Sequence, residues 1–372
     1  MSSPQRATAR VDLGAIERNC ARLRGELSEA TLLCAVVKAN GYGHGAVPAA
    51  EAAVAGGAAW LAVATAAEAR GLRAAGLEAP LLVMGALTPD ELAVALEAGA
   101  DVVAWREGFA RAVAERAGAG APARVHVKLD SGMGRLGTAD PEEALAVAEL
   151  AAGDERLELA GAMTHFATAD ELGDDHFPAQ LERFTPFAEE LKRRHPGITV
   201  HAANSAATLR EPAAHFDMVR CGVSVYGLDP YGEDPAGRRL EPALRLESWV
   251  AAVKPFRAVD SAGYGRSWKA SEDTWVGALP IGYGDGWRRA LSNNCDVLIR
   301  GRRHPVVGTI SMDNLTVDLG PDTDVEVGDS GVLIGSQGDE RILCEEVAKR
   351  LDTINYEVVT GLLPRVSRLY ER

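Results

Sequence analysis

Lys38 closes an apolar run and opens the stretch Ala35-Val-Val-Lys-Ala-Asn-Gly-Tyr-Gly-His-Gly45. A lysine there is either a surface residue marking a strand end or an amine in a partly dry site, where burial lowers its pKa and makes it nucleophilic toward an aldehyde. Three glycines interleaved with Tyr42 and His44 favour the second, since glycine lets the backbone turn tightly and approach a ligand. Lys128 and Arg135 stand in Val127-Lys-Leu-Asp-Ser-Gly-Met-Gly-Arg-Leu-Gly137, His165 follows Thr164, Asn204 and Ser205 follow Ala203, and Arg220 stands in Val219-Arg-Cys-Gly-Val-Ser-Val-Tyr-Gly227. Taken singly, each has a plain reading: a charged surface loop, a satisfied core histidine, a structural ion-pair partner. Together they offer cations and donors with few carboxylates. Backbone N–H groups at Asn204-Ser205 and at Cys221-Gly-Val223 fit a phosphate.

These residues must be brought together by the elements that precede them. Between Leu32 and about Tyr226, short apolar runs alternate with Ala-rich stretches of helical character, which is how βα units read. The runs are Leu32 to Val37, Trp60 to Ala64, Leu81 to Met84, Asp101 to Ala104, Arg124 to Leu129, Leu159 to Met163, Thr199 to Ala202 and Met218 to Cys221. Several are apolar nearly throughout, as parallel strands covered on both faces are. Eight such units in series predict an α/β fold, a closed (β/α)8 TIM-type barrel, whose active site lies at the C-terminal ends of its strands. That is where the candidate residues stand. Past Pro242 the pattern changes to period-2 alternation, as in Leu244 to Val253, with many Gly and Asp turns. The expected organisation is a barrel over residues 11–240 and a smaller, mostly β domain over 241–372, joined by residues 1–10.

The chain has 372 residues, 47% apolar and 25% charged, the make-up of a folded globular protein. Its net charge of −14 argues against a nucleic-acid partner, which calls for a basic stripe. No window approaches the roughly 18 apolar residues of a membrane span, and Met1 to Arg10 has no apolar run of a leader, so no membrane and a cytoplasmic location are expected. Five widely spaced cysteines without a C-x-x-C pair signal neither a disulfide framework nor a zinc knuckle. The acidic run Asp170-Glu-Leu-Gly-Asp-Asp175, followed by His176, lacks the ligand pattern of a hard cation and reads as a solvated loop; no metal is expected.

With the residues in view, the chain closely resembles the alanine racemase family: pyridoxal 5'-phosphate enzymes with a (β/α)8 barrel and a C-terminal β domain. The motifs run in order along nearly the whole chain: A-V-V-K-A-N-G-Y-G-H-G, V-K-L-D-S-G-M-G-R-L-G, H-A-A-N-S, V-R-C-G-V-S-V-Y-G, G-Y-G-R-S-W, I-G-Y-G-D-G-W, V-G-T-I-S-M-D-N and T-I-N-Y-E-V-V. The resemblance implies interconversion of L- and D-alanine, for D-alanine supply to peptidoglycan. It implies that Lys38 carries the cofactor as a Schiff base. The phosphate is then held by Tyr42, Ser205, Tyr356 and the backbone at Gly222 and Val223, with Asn204 beside them, and Arg220 donates to the pyridine nitrogen. Because arginine keeps its proton, the ring nitrogen stays largely unprotonated and the cofactor is a weaker electron sink, which disfavours transamination.

Inverting a stereocentre calls for an acid/base on each face, and the family's pair falls on Lys38 and Tyr264. A phenol in water titrates near ~10, so a tyrosine base needs coupling; the resemblance supplies a relay from Tyr264 to His165 to Arg220. It also implies a head-to-tail homodimer with shared active sites, Tyr264 reaching the partner's barrel and Met312 and Asp313 near the substrate carboxylate. Arg135 binds the carboxylate, and Lys128 stands where relatives often carry a carbamylated lysine. Thr309 and Ser311 stand where relatives more often have Arg and Cys. Other readings are a racemase of broader specificity, a basic amino-acid decarboxylase, a non-catalytic pyridoxal-phosphate carrier and a cofactor-free Schiff-base aldolase. Arg220 and Tyr264 count against the decarboxylase, and the β domain against the carrier.

Overall fold

Continuous apolar runs separated by capped, Ala-rich helices fold as the pattern requires. A computed structural model describes residues 6–117 and 120–372. Residues 1–5, expected to join the β domain, lie outside the described residues. The chain forms two compact units, Ile16–Val225 and a second made of the described residues up to Ala15 with Tyr226–Arg372.

After a first strand, β1 (Thr8–Asp12), eight parallel strands follow: β2 (Leu32–Val36), β3 (Trp60–Val63), β4 (Leu81–Val83), β5 (Asp101–Ala104), β6 (Ala123–Lys128), β7 (Leu157–Met163), β8 (Thr199–His201) and β9 (Met218–Cys221). They close into a barrel, β9 pairing back onto β2 with Cys34 opposite Arg220. These are the eight strands expected from the sequence. β3, β4, β5 and β9 are buried at every residue; β3 and β4 are apolar throughout, while β5 begins with Asp101 and β9 carries Arg220. The helices between them start on sequence-encoded caps. Thr65 and Glu68 form a capping box at Ala66–Ala74, and Thr88 and Glu91 form one at Pro89–Glu97. In helix Ala46–Ala55, four buried alanines let the helix lie close against its neighbours.

The second unit is mostly β. In its seven-stranded sheet, β1 pairs antiparallel with Leu244–Trp249 and parallel with Ser367–Glu371. Leu244–Trp249 alternates buried and half-buried residues, the period-2 pattern expected of it. A three-stranded sheet joins Ala252–Phe256, Thr274–Leu279 and Leu315–Gly320. Among the described residues no helix is long and apolar enough to cross a membrane, and all five cysteines are buried and free.

Candidate active site

The segment after β2 is the most unusual backbone in the barrel. Five consecutive residues, Ala39, Asn40, Gly41, Tyr42 and Gly43, have φ between 51° and 81°, a left-handed turn directly after Lys38. For a residue with a Cβ this conformation costs roughly 1–2 kcal/mol, so the surroundings must impose it. They do so with hydrogen bonds. His44, fully buried, presents Nδ1 to the carbonyls of Tyr42 (2.9 Å) and Gly41 (3.2 Å), so Nδ1 carries the proton. Asn40 Oδ1 accepts from Ala46 N (3.0 Å), and Glu68 Oε1 accepts from Ala39 N (2.6 Å). Glu68 was not among the residues picked from the sequence, although its capping box with Thr65 was there to be read.

Lys38 is half-buried, and its amine is brought below the ordinary lysine range by burial first, then by the positive charges of Arg135 and Arg220, against an opposing pull from Glu68. Lys128, 3% exposed at the end of β6, is brought down to about 8, chiefly by burial and then by Arg220 and Arg135. A neutral fraction of the Lys128 amine is thereby available near neutral pH. Arg135 is exposed in a loop built by Asp130, whose carboxylate accepts from the N–H groups of Gly132 (2.9 Å), Met133 (2.7 Å) and Gly134 (2.9 Å).

Arg220, on β9, is almost fully buried, and burial brings it down to about 10, so it remains charged at neutrality. Its Nη2 donates to the carbonyls of Thr164 (2.8 Å) and Ala202 (3.1 Å) and lies 3.2 Å from His165 Nδ1; its Nη1 lies 2.9 Å from His201 Nδ1. Its Nε has no hydrogen-bond partner among the described residues. His165 is half-buried, and its ring is pushed well below 6.5, by desolvation first and then by Arg220, Lys128 and Arg135. Both imidazoles that meet the guanidinium are therefore neutral acceptors at Nδ1.

The groups expected to hold a phosphate lie after β8 and β9. Asn204 caps the helix Ser205–Arg210, its Oδ1 accepting from Ala207 N (3.0 Å). Ser205 Oγ accepts from Gly222 N (3.0 Å) and approaches Ser224 N (3.5 Å), so the Gly222 N–H is engaged by the hydroxyl. A Cβ at Gly222 would lie 2.3 Å from Tyr42 Oη, which ties that glycine to the tyrosine.

In the second unit Tyr264 begins a short 3-10 turn and is 74% exposed; Met312 is 51% exposed. Thr309 Oγ1 donates to the Tyr264 carbonyl (2.8 Å), and a Cβ at Gly263 would meet Thr309 N at 2.8 Å. Thr309 thus fixes the tyrosine's backbone. Asp313 pairs with Arg365 (2.7 Å), and Met312 O accepts from Gly284 N (2.8 Å) in the I-G-Y-G-D-G-W stretch. Tyr356 is half-buried in helix Asn355–Thr360. The expected residues therefore fall into two groups. Lys38, Tyr42, Lys128, Arg135, His165, Asn204, Ser205, Arg220, Gly222 and Val223 belong to the barrel unit, and Tyr264, Met312, Asp313 and Tyr356 to the β unit.

The neutral histidines carry a consequence for stability. His201 is fully buried and held well below 6.5, by desolvation first and then by Arg220. An unfolded chain takes up the proton that the folded one refuses, so the stability His201 confers is whole above pH ~6.5 and is lost as pH falls toward its depressed folded pKa, by about 1.4 kcal/mol per pH unit. Urea unfolding at pH 7.5, 6.5 and 5.5 measures this. Stability level from 7.5 to 6.5 and roughly 1 kcal/mol or more lower at 5.5 is the expected result; a flat profile across the three would count against it.

A half-buried amine, a buried guanidinium and the Ser205–Gly222 hydrogen bond stand at the C-terminal mouth of a closed (β/α)8 barrel, where enzymes of this fold carry their active sites. The comparisons make this specific. The profile described as "Alanine racemase, N-terminal domain" matches residues 11–230 and "Alanine racemase, C-terminal domain" matches residues 243–370. The chain is 44% identical over 365 residues to the alanine racemase of Symbiobacterium thermophilum, covering 97% of this chain and 96% of that one. It is 42% identical over 370 residues to the alanine racemase of Geobacillus stearothermophilus, covering 98% and 93%. The crystal structure of alanine racemase from D-cycloserine-producing Streptomyces lavendulae superposes with a TM-score of 0.95 at 37% identity, covering 100% of this chain and 98% of that one. The chain belongs to the alanine racemase family.

Proposed function

We propose that this chain interconverts L- and D-alanine with pyridoxal 5'-phosphate as cofactor, in the cytoplasm, supplying D-alanine for peptidoglycan. The observation that carries the reading is the Lys38 amine, lowered in pKa, at one barrel mouth with the Ser205–Gly222 cradle and the buried Arg220. The residues fit the cofactor. The charges of Arg135 and Arg220 both lower the Lys38 and Lys128 amines, an excess of positive charge that calls for an anionic ligand. Arg220 Nε is left to face a ring nitrogen, and Gly222 leaves room for the Tyr42 hydroxyl at the phosphate.

When bound, pyridoxal phosphate supplies an aldehyde for the amino group and a ring that draws electrons from Cα. The protein does the rest. Lys38 holds the cofactor and then moves a proton on one face of the substrate, while Tyr264 of a second protomer does so on the other. His165, kept neutral with Nδ1 accepting from Arg220, turns its Nε2–H toward the tyrosine oxygen and so couples the phenol to the Arg220 charge. Tyr264 and Met312 are large apolar side chains left open to solvent, which supports a head-to-tail homodimer that covers them. Met312 and Asp313 then stand by the substrate carboxylate with Arg135, and Tyr356 joins Tyr42, Asn204, Ser205, Gly222 and Val223 in holding the cofactor. The Lys128 amine, at about 8, suits carbamate formation that orients Arg135; a carbamate carbonyl signal under ¹³C-labelled carbon dioxide is expected, and its absence would remove that role.

The test is a panel of single-enantiomer amino acids followed by optical rotation, with pyridoxal phosphate added. Racemisation of both alanine enantiomers is expected. Turnover of serine or lysine with none of alanine would overturn the substrate assignment.

A further inference from the structure

The barrel core below the mouth holds a line of polar side chains that the mechanism above leaves unused. Asp101, the first residue of β5, is 4% exposed, and His126 on β6 and His201 on β8 are fully buried. Asp101 Oδ2 lies 3.0 Å from His126 Nε2, His126 Nδ1 lies 2.8 Å from His201 Nε2, and His201 Nδ1 lies 2.9 Å from Arg220 Nη1. A guanidinium only donates and an ionised carboxylate only accepts. The direction is thus set at both ends: Arg220 donates to His201 Nδ1, His201 Nε2–H donates to His126 Nδ1, and His126 Nε2–H donates to Asp101.

A second observation shows that the fold makes room for this line. Gly161 lies on β7, between the strands that carry the two histidines. A Cβ there would stand 2.4 Å from His126 Nδ1, inside the hydrogen bond to His201. Trp60 closes the ring's flank edge-on, its centroid 5.9 Å away.

We propose that Asp101, His126 and His201 are positioning residues that deliver a carboxylate's counter-charge through the barrel core to Arg220 and hold its guanidinium with Nε toward the cofactor's ring nitrogen. This rests on the role given to Arg220 above. Among the described residues no carboxylate contacts Arg220 directly, while Lys38, Lys128, Arg135 and His165 lie on its mouth side. A buried cation in that company needs compensation, and successive hydrogen bonds polarise one another along such a line. At the other end Asp101 is held by Arg124 Nε (3.1 and 3.2 Å), and Arg124 is paired with Glu158. Asp101 and Arg124 also line a pocket on that side of the barrel unit. The arrangement gives Arg220 a counter-ion without placing an acid beside the ring nitrogen.

The experiment is ¹⁵N NMR of the imidazole rings in the cofactor-loaded protein, with kinetics and visible absorption of Asp101→Asn, which removes the charge and keeps the shape. Both rings are expected to carry the proton on Nε2 with a bare Nδ1 in the unsubstituted protein. Asp101→Asn is expected to lower kcat about tenfold, change KM less, and shift the bound cofactor's absorption band. A proton on Nδ1 of either ring, or a doubly protonated ring, overturns the proposal. So does an Asp101→Asn protein with kcat and spectrum unchanged. Should the protein take up no pyridoxal phosphate while showing both Nε2–H tautomers, the reading under Proposed function fails and the directed line from Arg220 to Asp101 stands.

Discussion

Tyr264→Phe is expected to abolish racemisation in both directions, lowering kcat by at least ~10³-fold, while the enzyme still exchanges the α-hydrogen of D-alanine with deuterium from solvent. The hydroxyl is the only group lost. Its side chain is 74% exposed and the turn that carries it is fixed by Thr309 through the backbone carbonyl, so the substitution leaves the local fold intact. Lys38 keeps its amine and its lowered pKa, and so keeps its half of the proton traffic. Proton NMR of each alanine enantiomer in deuterium oxide separates the halves. Equal loss of exchange from both enantiomers would mean that the two residues do not divide the faces between them.

Lys38→Ala removes both an anchor and a base, and the expected loss is larger: no detectable racemisation, and no cofactor attached after borohydride reduction, read by mass spectrometry of the peptide that begins near Ala35. Pyridoxal phosphate should still bind, more weakly, because the Ser205–Gly222 cradle and Arg220 do not depend on the lysine. A borohydride-stable adduct on another lysine, with activity retained, would move the chemistry away from Lys38. Lys128 is the amine to watch, since it too is lowered, to about 8.

The barrel was legible because parallel strands buried on both faces leave continuous apolar runs, and the helices between them begin on readable caps. The rim was legible for the same reason: Lys38, Lys128, His165, Asn204 and Arg220 stand at or just past the ends of those runs. What lay inside the barrel was not. His126 and His201 sit within apolar runs, where a lone histidine reads as a satisfied core residue. Their partnership depends on which side chains of β5, β6, β8 and β9 meet across the interior, and on Gly161 leaving a gap between them. No spacing rule carries that information. Nor did the interleaved glycines reveal that Ala39, Asn40 and Tyr42 share the left-handed conformation with Gly41 and Gly43. Glycine suggested a turn, but His44 and Glu68 are what force the others into it.

That turn ties reactivity to completion of the fold. A free peptide of this sequence has no reason to hold Ala39 and Tyr42 at φ values of 52° and 51°. The restraints come from a buried imidazole and from a carboxylate at the start of a different helix. Until those parts have docked, Lys38 is an ordinary hydrated lysine on an unstructured arm. An unfinished chain thereby lacks the burial and the neighbouring guanidinium groups that lower the Lys38 amine in the finished barrel.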